Sequence, residues 1–160
     1  MQATHFDEEE LFRAIAGAGI RALLIGRRAM VALGLPVLTA DYDLWVHVDD
    51  IARLNAAVEE LGLVPGHDPA QARRQGRYVL ENDEHIDVLV ARAVPTVDGI
   101  RVAFDEVWER RIELRYSPTV NLAVPALDDL ILTKRWSMRD RDVADIRLLE
   151  ALRASQLDEP

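Results

Sequence analysis

Apolar residues recur at three- and four-residue spacing over residues 7–18, with Leu11, Phe12, Ile15 and Ala16 on one face behind an acidic first turn. That pattern predicts an amphipathic helix. Arg21-Ala-Leu-Leu-Ile25 predicts a short buried strand closed by Gly26. A helix is expected over 27–33, stopped by Gly34 and Pro36. Residues 41–48 alternate strictly and predict a strand, and 50–61 predict a helix with Gly62 at its C-terminus. Residues 65–75, punctuated by Gly and Pro, are expected to form a polar loop. Two strands, 76–80 and 85–91, follow around a turn at Glu81-Asn-Asp-Glu84. Short strands are expected at 101–104, 112–114 and 119–124, around a helical stretch at 105–110. From Pro125 the period is helical, over 126–137 and 141–154. The order predicts one α/β (α+β) domain over residues 1–160, ending in a helical pair.

Composition narrows the possibilities. A chain of 160 residues, 49% apolar and 29% charged, has the make-up of an ordinary globular protein with its own core. It has no cysteine, which removes disulfides and thiolate metal sites. The acidic start, Asp7-Glu-Glu-Glu10, does not read as a signal peptide, and no apolar run approaches the roughly 20 residues a membrane span needs. A cytoplasmic protein without membrane contact is expected. The net charge of −9 opposes bulk nucleic-acid binding and suits a site that concentrates divalent cations.

The chemistry concentrates in Thr39-Ala-Asp-Tyr-Asp-Leu-Trp-Val46. Residues two apart in a strand share a face, so Tyr42, Leu44, Val46 and Val48 form an apolar side and Asp41, Asp43, Trp45 and His47 the other. Carboxylates at that spacing suit hard, oxygen-preferring cations such as Mg²⁺. His85-Ile-Asp-Val-Leu-Val90 repeats the pattern, with His85 and Asp87 facing away from Ile86, Val88 and Val90. If the two strands are neighbours, Asp87 joins Asp41 and Asp43, and three carboxylates could hold two metal ions roughly 4 Å apart for a phosphoryl displacement.

Ile25-Gly26-Arg27, a gap of 13 residues, then Asp41-Tyr-Asp43-Leu resembles the signature of the nucleotidyltransferase superfamily, in which a later strand supplies a third acid, here Asp87. Leu130-Ile-Leu-Thr-Lys134 and Arg139-Asp-Arg-Asp142-Val-Ala-Asp145 are similar to the closing helices of its small bacterial members, which include abortive-infection-type toxins of toxin–antitoxin pairs. The resemblance implies a central mixed β-sheet flanked by helices, two Mg²⁺ ions held by Asp41, Asp43 and Asp87, and an NTP held by Gly26, Arg27 and Lys134. It further implies a hydroxyl acceptor on a protein, an RNA or a small molecule, and it allows an antitoxin partner. Arg27 departs from the family pattern, which has a small residue there. An arginine either adds a bidentate phosphate contact or obstructs the backbone cradle expected at a helix N-terminus.

The same residues leave two other readings open: a non-catalytic member of the fold that binds nucleotide or a partner, and a metal-dependent phosphodiesterase. Arg139, Arg141, Asp142 and Asp145 read as a structural charge network at a helix start. Arg73, Arg74 and Arg77 flank Gly76 and either guide an acidic substrate or RNA or form a solvated loop. His85 is placed at the site's edge, and His47 too far along its strand to ligate with Asp41. His5 and His67 look incidental, and Trp45, Trp108 and Trp136 read as core.

Overall fold

The computed structural model describes residues 6–157, so His5 lies outside the described residues. Helix α1 (Glu8–Gly17) starts at Asp7, whose carboxylate accepts a 2.9 Å hydrogen bond from the Glu9 amide, and three glutamates fill its first turn. A carboxylate at that position satisfies a backbone donor left free by the helix and complements its dipole.

Five strands make the central sheet: β1 (Ala22–Ile25), β2 (Tyr42–Val46), β3 (Val64–Pro65), β4 (Arg77–Glu81) and β5 (His85–Leu89), in the spatial order β1-β2-β5-β4-β3. Only β2 and β5 run parallel; the other pairs are antiparallel. Between β1 and β2 lies α2 (Gly26–Ala32), and between β2 and β3 lies α3 (Ile51–Val58). The sheet is therefore mixed, as expected.

The two faces of the sheet are covered unequally. One face packs Leu24, Tyr42, Leu44, Val46, Ile86 and Val88 against Leu11 and Phe12 of α1, Ile51, Leu54 and Val58 of α3, and the hairpin β8 (Ile112–Ser117) and β9 (Val120–Val124). On the other face Leu23, Ile25 and Trp45 meet Val102, Phe104 and Val107. These come from the hairpin β6 (Ala93–Pro95) and β7 (Arg101–Ala103) and from α5 (Phe104–Glu109). That second cover sits over Trp45, which is fully buried and donates its indole N–H to the Ala91 carbonyl at 2.9 Å. One step along β2, at Asp43, it gives way to a cleft. Helices α6 (Leu127–Lys134) and α7 (Asp140–Leu157) form the expected C-terminal pair.

Several expectations need correction. Residues 65–75 are not a polar loop: α4 (Pro69–Gln75) occupies most of them. Its signals are local, with Asp68 and Gln71 forming a reciprocal capping box, Pro69 in the first turn and Gly76 closing the helix at φ +77°. The strand expected from residue 76 starts at Arg77 for the same reason. The strand expected over 41–48 ends sooner at both ends. Asp41 precedes β2, and His47 starts a single 3₁₀ turn by accepting the Asp49 amide at 3.1 Å. The short strands β3 and β6 have too few residues to show a period. Among the described residues, no helix is long and apolar enough to cross a membrane.

Candidate active site

Strand register sets the site. Ile25 pairs with Asp43, Asp43 with Asp87, and Asp87 with Val79, so these four stand in one row across the sheet. Neighbouring strands lie about 4.8 Å apart, which makes the row roughly 14 Å wide. Directly paired residues share a face, so Asp43 and Asp87 stand side by side without any loop to place them. A hydrophobic residue on each side of each acid, Tyr42 and Leu44 in β2, Ile86 and Val88 in β5, fixes which face the acids take.

The row forms the floor of a cleft of about 770 Å³. Gly26, Asp43, Asp87 and Lys134 line it; Asp41 and Arg27 do not. One wall carries Thr133, Lys134, Trp136, Ser137, Arg139 and Asp142 from the α6–α7 end, and the opposite wall Gly66, His67, Gln75 and Arg77.

Gly26 begins α2 at φ +69°, a left-handed conformation that side chains disfavour. A Cβ there would stand 2.6 Å from Asp43 Oδ2. The absence of a side chain therefore lets the backbone pass directly over the carboxylate. Burial, then the charges of Asp87 and Asp41, push the Asp43 carboxyl above its ordinary range, with Lys134 and Arg141 pulling the other way. An acid held back from ionising in this way gains from a nearby positive charge.

Asp41 is exposed, and its backbone is tied into a turn: its amide donates to Thr39 Oγ1 at 3.0 Å, and Arg28 donates to its carbonyl at 3.3 Å. The charge of Asp41 reaches Asp43 even so. Asp87 is 55% exposed and lies 3.1 Å from His85 Nε2, while His85 Nδ1 lies 3.3 Å from Glu81. Among the described residues, no group of three or more His, Asp or Glu side chains stands preassembled as a cation cage. The donor set nonetheless fits a hard divalent ion. It offers carboxylate oxygens only, two of the acids are paired by the sheet, and one has a proton affinity that a cation would lower.

Arg27 is turned away from the cleft. Its Nε and terminal nitrogen each donate to Asp145 at 3.1 Å, and its other nitrogen donates to the Leu38 carbonyl at 3.1 Å. Asp145 is fully buried, and its Oδ2 also accepts Lys134 Nζ at 3.0 Å. Burial alone would raise the Asp145 carboxyl, but hydrogen bonds from Arg27 and Lys134 hold it below the usual range. Asp142 is held down likewise, against its burial, by the backbone and guanidinium of Arg139 and by Ser137. These acids are internal struts and leave Lys134 on the cleft wall.

The chain superposes over most of its length on solved structures that include three proteins. The first, from Thermotoga maritima and assigned as a nucleotidyltransferase, has 10% identity and a TM-score of 0.58, with 95% of this chain and 91% of that one covered. The antibiotic-resistance factor ANT(2'')-Ia, solved with adenylyl-2''-tobramycin, has 14% identity and a TM-score of 0.59, covering 94% and 90%. The lincosamide antibiotic adenylyltransferase LnuA, solved with lincomycin, has 15% identity and a TM-score of 0.60, covering 90% and 96%. The chain has the nucleotidyltransferase fold. No protein-family model matches the sequence, and no curated protein does. At these identities the likeness carries the architecture alone.

Polar residues that the sequence does not mark as candidates also line the cleft of this nucleotidyltransferase fold, among them Gln75, Thr133, Ser137 and Glu81. None carries a motif of its own, and they come from α4, α6, the α6–α7 connection and the end of β4, which only the tertiary fold brings to one space. His67, read as incidental, is also on the wall. Trp136 lines the cleft as well, its ring packed edge-on against Trp45 with centroids 5.2 Å apart. Trp108 instead stacks on Phe104 beneath the Arg111 guanidinium.

Proposed function

We propose that this protein moves a nucleotidyl group from an NTP to a hydroxyl acceptor. The observation that carries the proposal is the register pairing of Asp43 with Asp87 beside a glycine that cannot hold a side chain, in a cleft walled by Lys134. Divalent cations, Mg²⁺ by the chemistry of an all-oxygen donor set, would be held by Asp43 and Asp87 with Asp41 beside them, and would supply charge neutralisation on the phosphate oxygens.

The protein's own residues do the rest. Gly26 leaves room for the donor's phosphates against the sheet. Lys134 has three N–H donors, of which Asp145 accepts one, so the others are free for phosphate oxygens. In the transfer the acceptor oxygen bonds to the α-phosphorus, the bond from that phosphorus to the bridging oxygen breaks, and pyrophosphate leaves with the electron pair. Asp87 would take the hydroxyl proton, with His85 at 3.1 Å to steady the carboxylate. Catalysis of this kind is mostly positioning and charge stabilisation.

The structural neighbours solved with adenylyl-2''-tobramycin and with lincomycin support a small-molecule acceptor. Neither the cleft nor those neighbours point to an antitoxin, and we do not propose one. A binding-only role draws on Arg27 in the phosphate loop and on the lack of an evident acceptor-binding domain; the first of these is weakened, because Asp145 holds the Arg27 side chain outside the cleft.

The test is incubation of the protein with α-labelled NTPs, Mg²⁺ and a cell extract. Label should pass to an acceptor, and Asp43→Asn should abolish it. Calorimetric binding of Mg²⁺–NTP with no labelled product from any fraction would instead establish the binding-only role.

A further inference from the structure

Among the described residues, three cations line the cleft: Arg77, Lys134 and Arg139. Two of them are already matched by buried acids, Lys134 by Asp145 at 3.0 Å and Arg139 by Asp142 at 3.1 Å. Arg77 has no ion-pair or hydrogen-bond partner for its guanidinium among the described residues. Glu81, the acid on the same face of β4, is engaged with His85 at 3.3 Å.

Arg77 has its backbone fixed by the sheet and its side chain exposed. It opens β4 directly after Gly76, whose carbonyl accepts the amides of Val90 and Ala91 at 2.8 and 3.0 Å. It pairs with Leu89, two positions from the Asp87–Val79 pair, so it is a diagonal neighbour of Asp87. Such neighbours are about 7–8 Å apart, within reach of a long side chain. Strand β4 lies across β5 from β2, so Arg77 stands on the other side of Asp87 from Asp43 and Gly26. Gln75 and His67 accompany it on that wall.

We propose that Arg77 is a specificity-determining residue on the acceptor side of the cleft, selecting acceptors that carry an oxyanion, phosphate or carboxylate, near the reactive hydroxyl. A planar guanidinium donates two parallel hydrogen bonds to such a group. A chain of net charge −9 gives no general attraction to anions, so an anionic acceptor depends on a local cation, and Arg77 is the cleft cation with no acid matched to it among the described residues. The assignment rests on nucleotidyl transfer for its name as an acceptor site, but not for the binding itself.

The experiment uses the full chain, with and without Mg²⁺ and α,β-methylene-ATP, which blocks transfer. Calorimetry measures matched pairs: ribose and ribose 5-phosphate, glycerol and glycerol 3-phosphate, propane-1,2-diol and lactate. The anionic member should bind about ten- to hundredfold more tightly. Arg77→Gln should erase that preference, Arg77→Lys should retain part of it, and Arg73→Gln, outside the cleft, should leave it intact. A short RNA in parallel separates the sources: a steep salt dependence identifies backbone phosphates, and a shallow one a single small-molecule anion. A wild-type protein with no anionic preference, an unchanged preference in Arg77→Gln, or an equal loss in Arg73→Gln overturns the proposal. Replacing the blocked analogue with ATP keeps the two failures apart. Anion binding without transfer defeats the transferase and leaves Arg77 a ligand residue. Transfer to the anionic acceptors that is equal in wild type and Arg77→Gln defeats only Arg77.

Discussion

Lys134 Nζ lies 3.0 Å from Asp145 Oδ2, in a place where the lysine side chain is 7% exposed and the aspartate not at all. A lysine is costly to bury unless its charge is matched. The acid that matches it comes from α7, and Arg27 of α2 grips the same carboxylate from the other side. One buried acid thus ties three helices together and fixes the position of a cleft cation.

Removing that acid leaves two cations facing each other. Asp145→Ala should destabilise the protein by about 3–5 kcal/mol, the usual result of breaking a buried pair from one side, as read by denaturant unfolding. Lys134→Met should raise KM for the NTP more than Arg27→Met does, because only Lys134 lines the cleft. Equal effects would mean that Lys134 acts only as a strut.

The same pair carries a pH dependence whose sign can be worked out. The folded Asp145 carboxyl is held below its unfolded value, near 3.9 for a free aspartate. Its contribution to stability is complete above that value and is lost as pH falls through the folded pKa. Stability measured by urea unfolding between about pH 5 and 2 should therefore fall less steeply in Asp145→Asn than in wild type.

Asp43 behaves in the opposite way. Burial and the neighbouring charges of Asp87 and Asp41 raise its carboxyl, so ionised Asp43 costs stability, and the cost sets in as pH rises through the folded pKa. Asp43→Asn should abolish transfer and yet raise Tm at pH 7 by about 2–4 °C, equivalent to roughly 1 kcal/mol for a protein of this size. A fall in Tm would show that Asp43 is a structural residue.

Carbon-detected NMR titration gives an independent check. Asp87→Asn should lower the Asp43 pKa, and Asp41→Asn should lower it less, because Asp87 is the larger of the two charge effects. An Asp43 pKa indifferent to Asp87 would contradict the pairing across β2 and β5.

Gly26→Ala should lose at least about a hundredfold in transfer, since a 1 Å displacement at a reacting centre costs that much. It should also cost roughly 1–2 kcal/mol of stability from the left-handed backbone. Mg²⁺ affinity should fall with it, because the new methyl group meets Asp43 Oδ2 at 2.6 Å. An alanine variant with wild-type transfer would remove Gly26 from the site.

The alternation around Asp43 and Asp87 was legible in the sequence because a period of two is a local property: each acid between two buried apolar residues has only one face to take. The break at Gly26 and the helical periods of α6 and α7 were legible for the same reason. Even α4 was written locally, in Asp68, Pro69, Gln71 and Gly76, though its punctuation reads equally as a loop. What the sequence could not decide is which strand lies beside which, or which charges meet across long separations. Asp43 and Asp87 are 44 positions apart, and only the parallel pairing of β2 with β5 puts them side by side. Arg27 follows Gly26 directly and looks aimed at a phosphate, yet Asp145, 118 positions away, turns it out of the cleft. Local alternation chose the chemistry of the site; long-range pairing and burial of charge chose which residues share it.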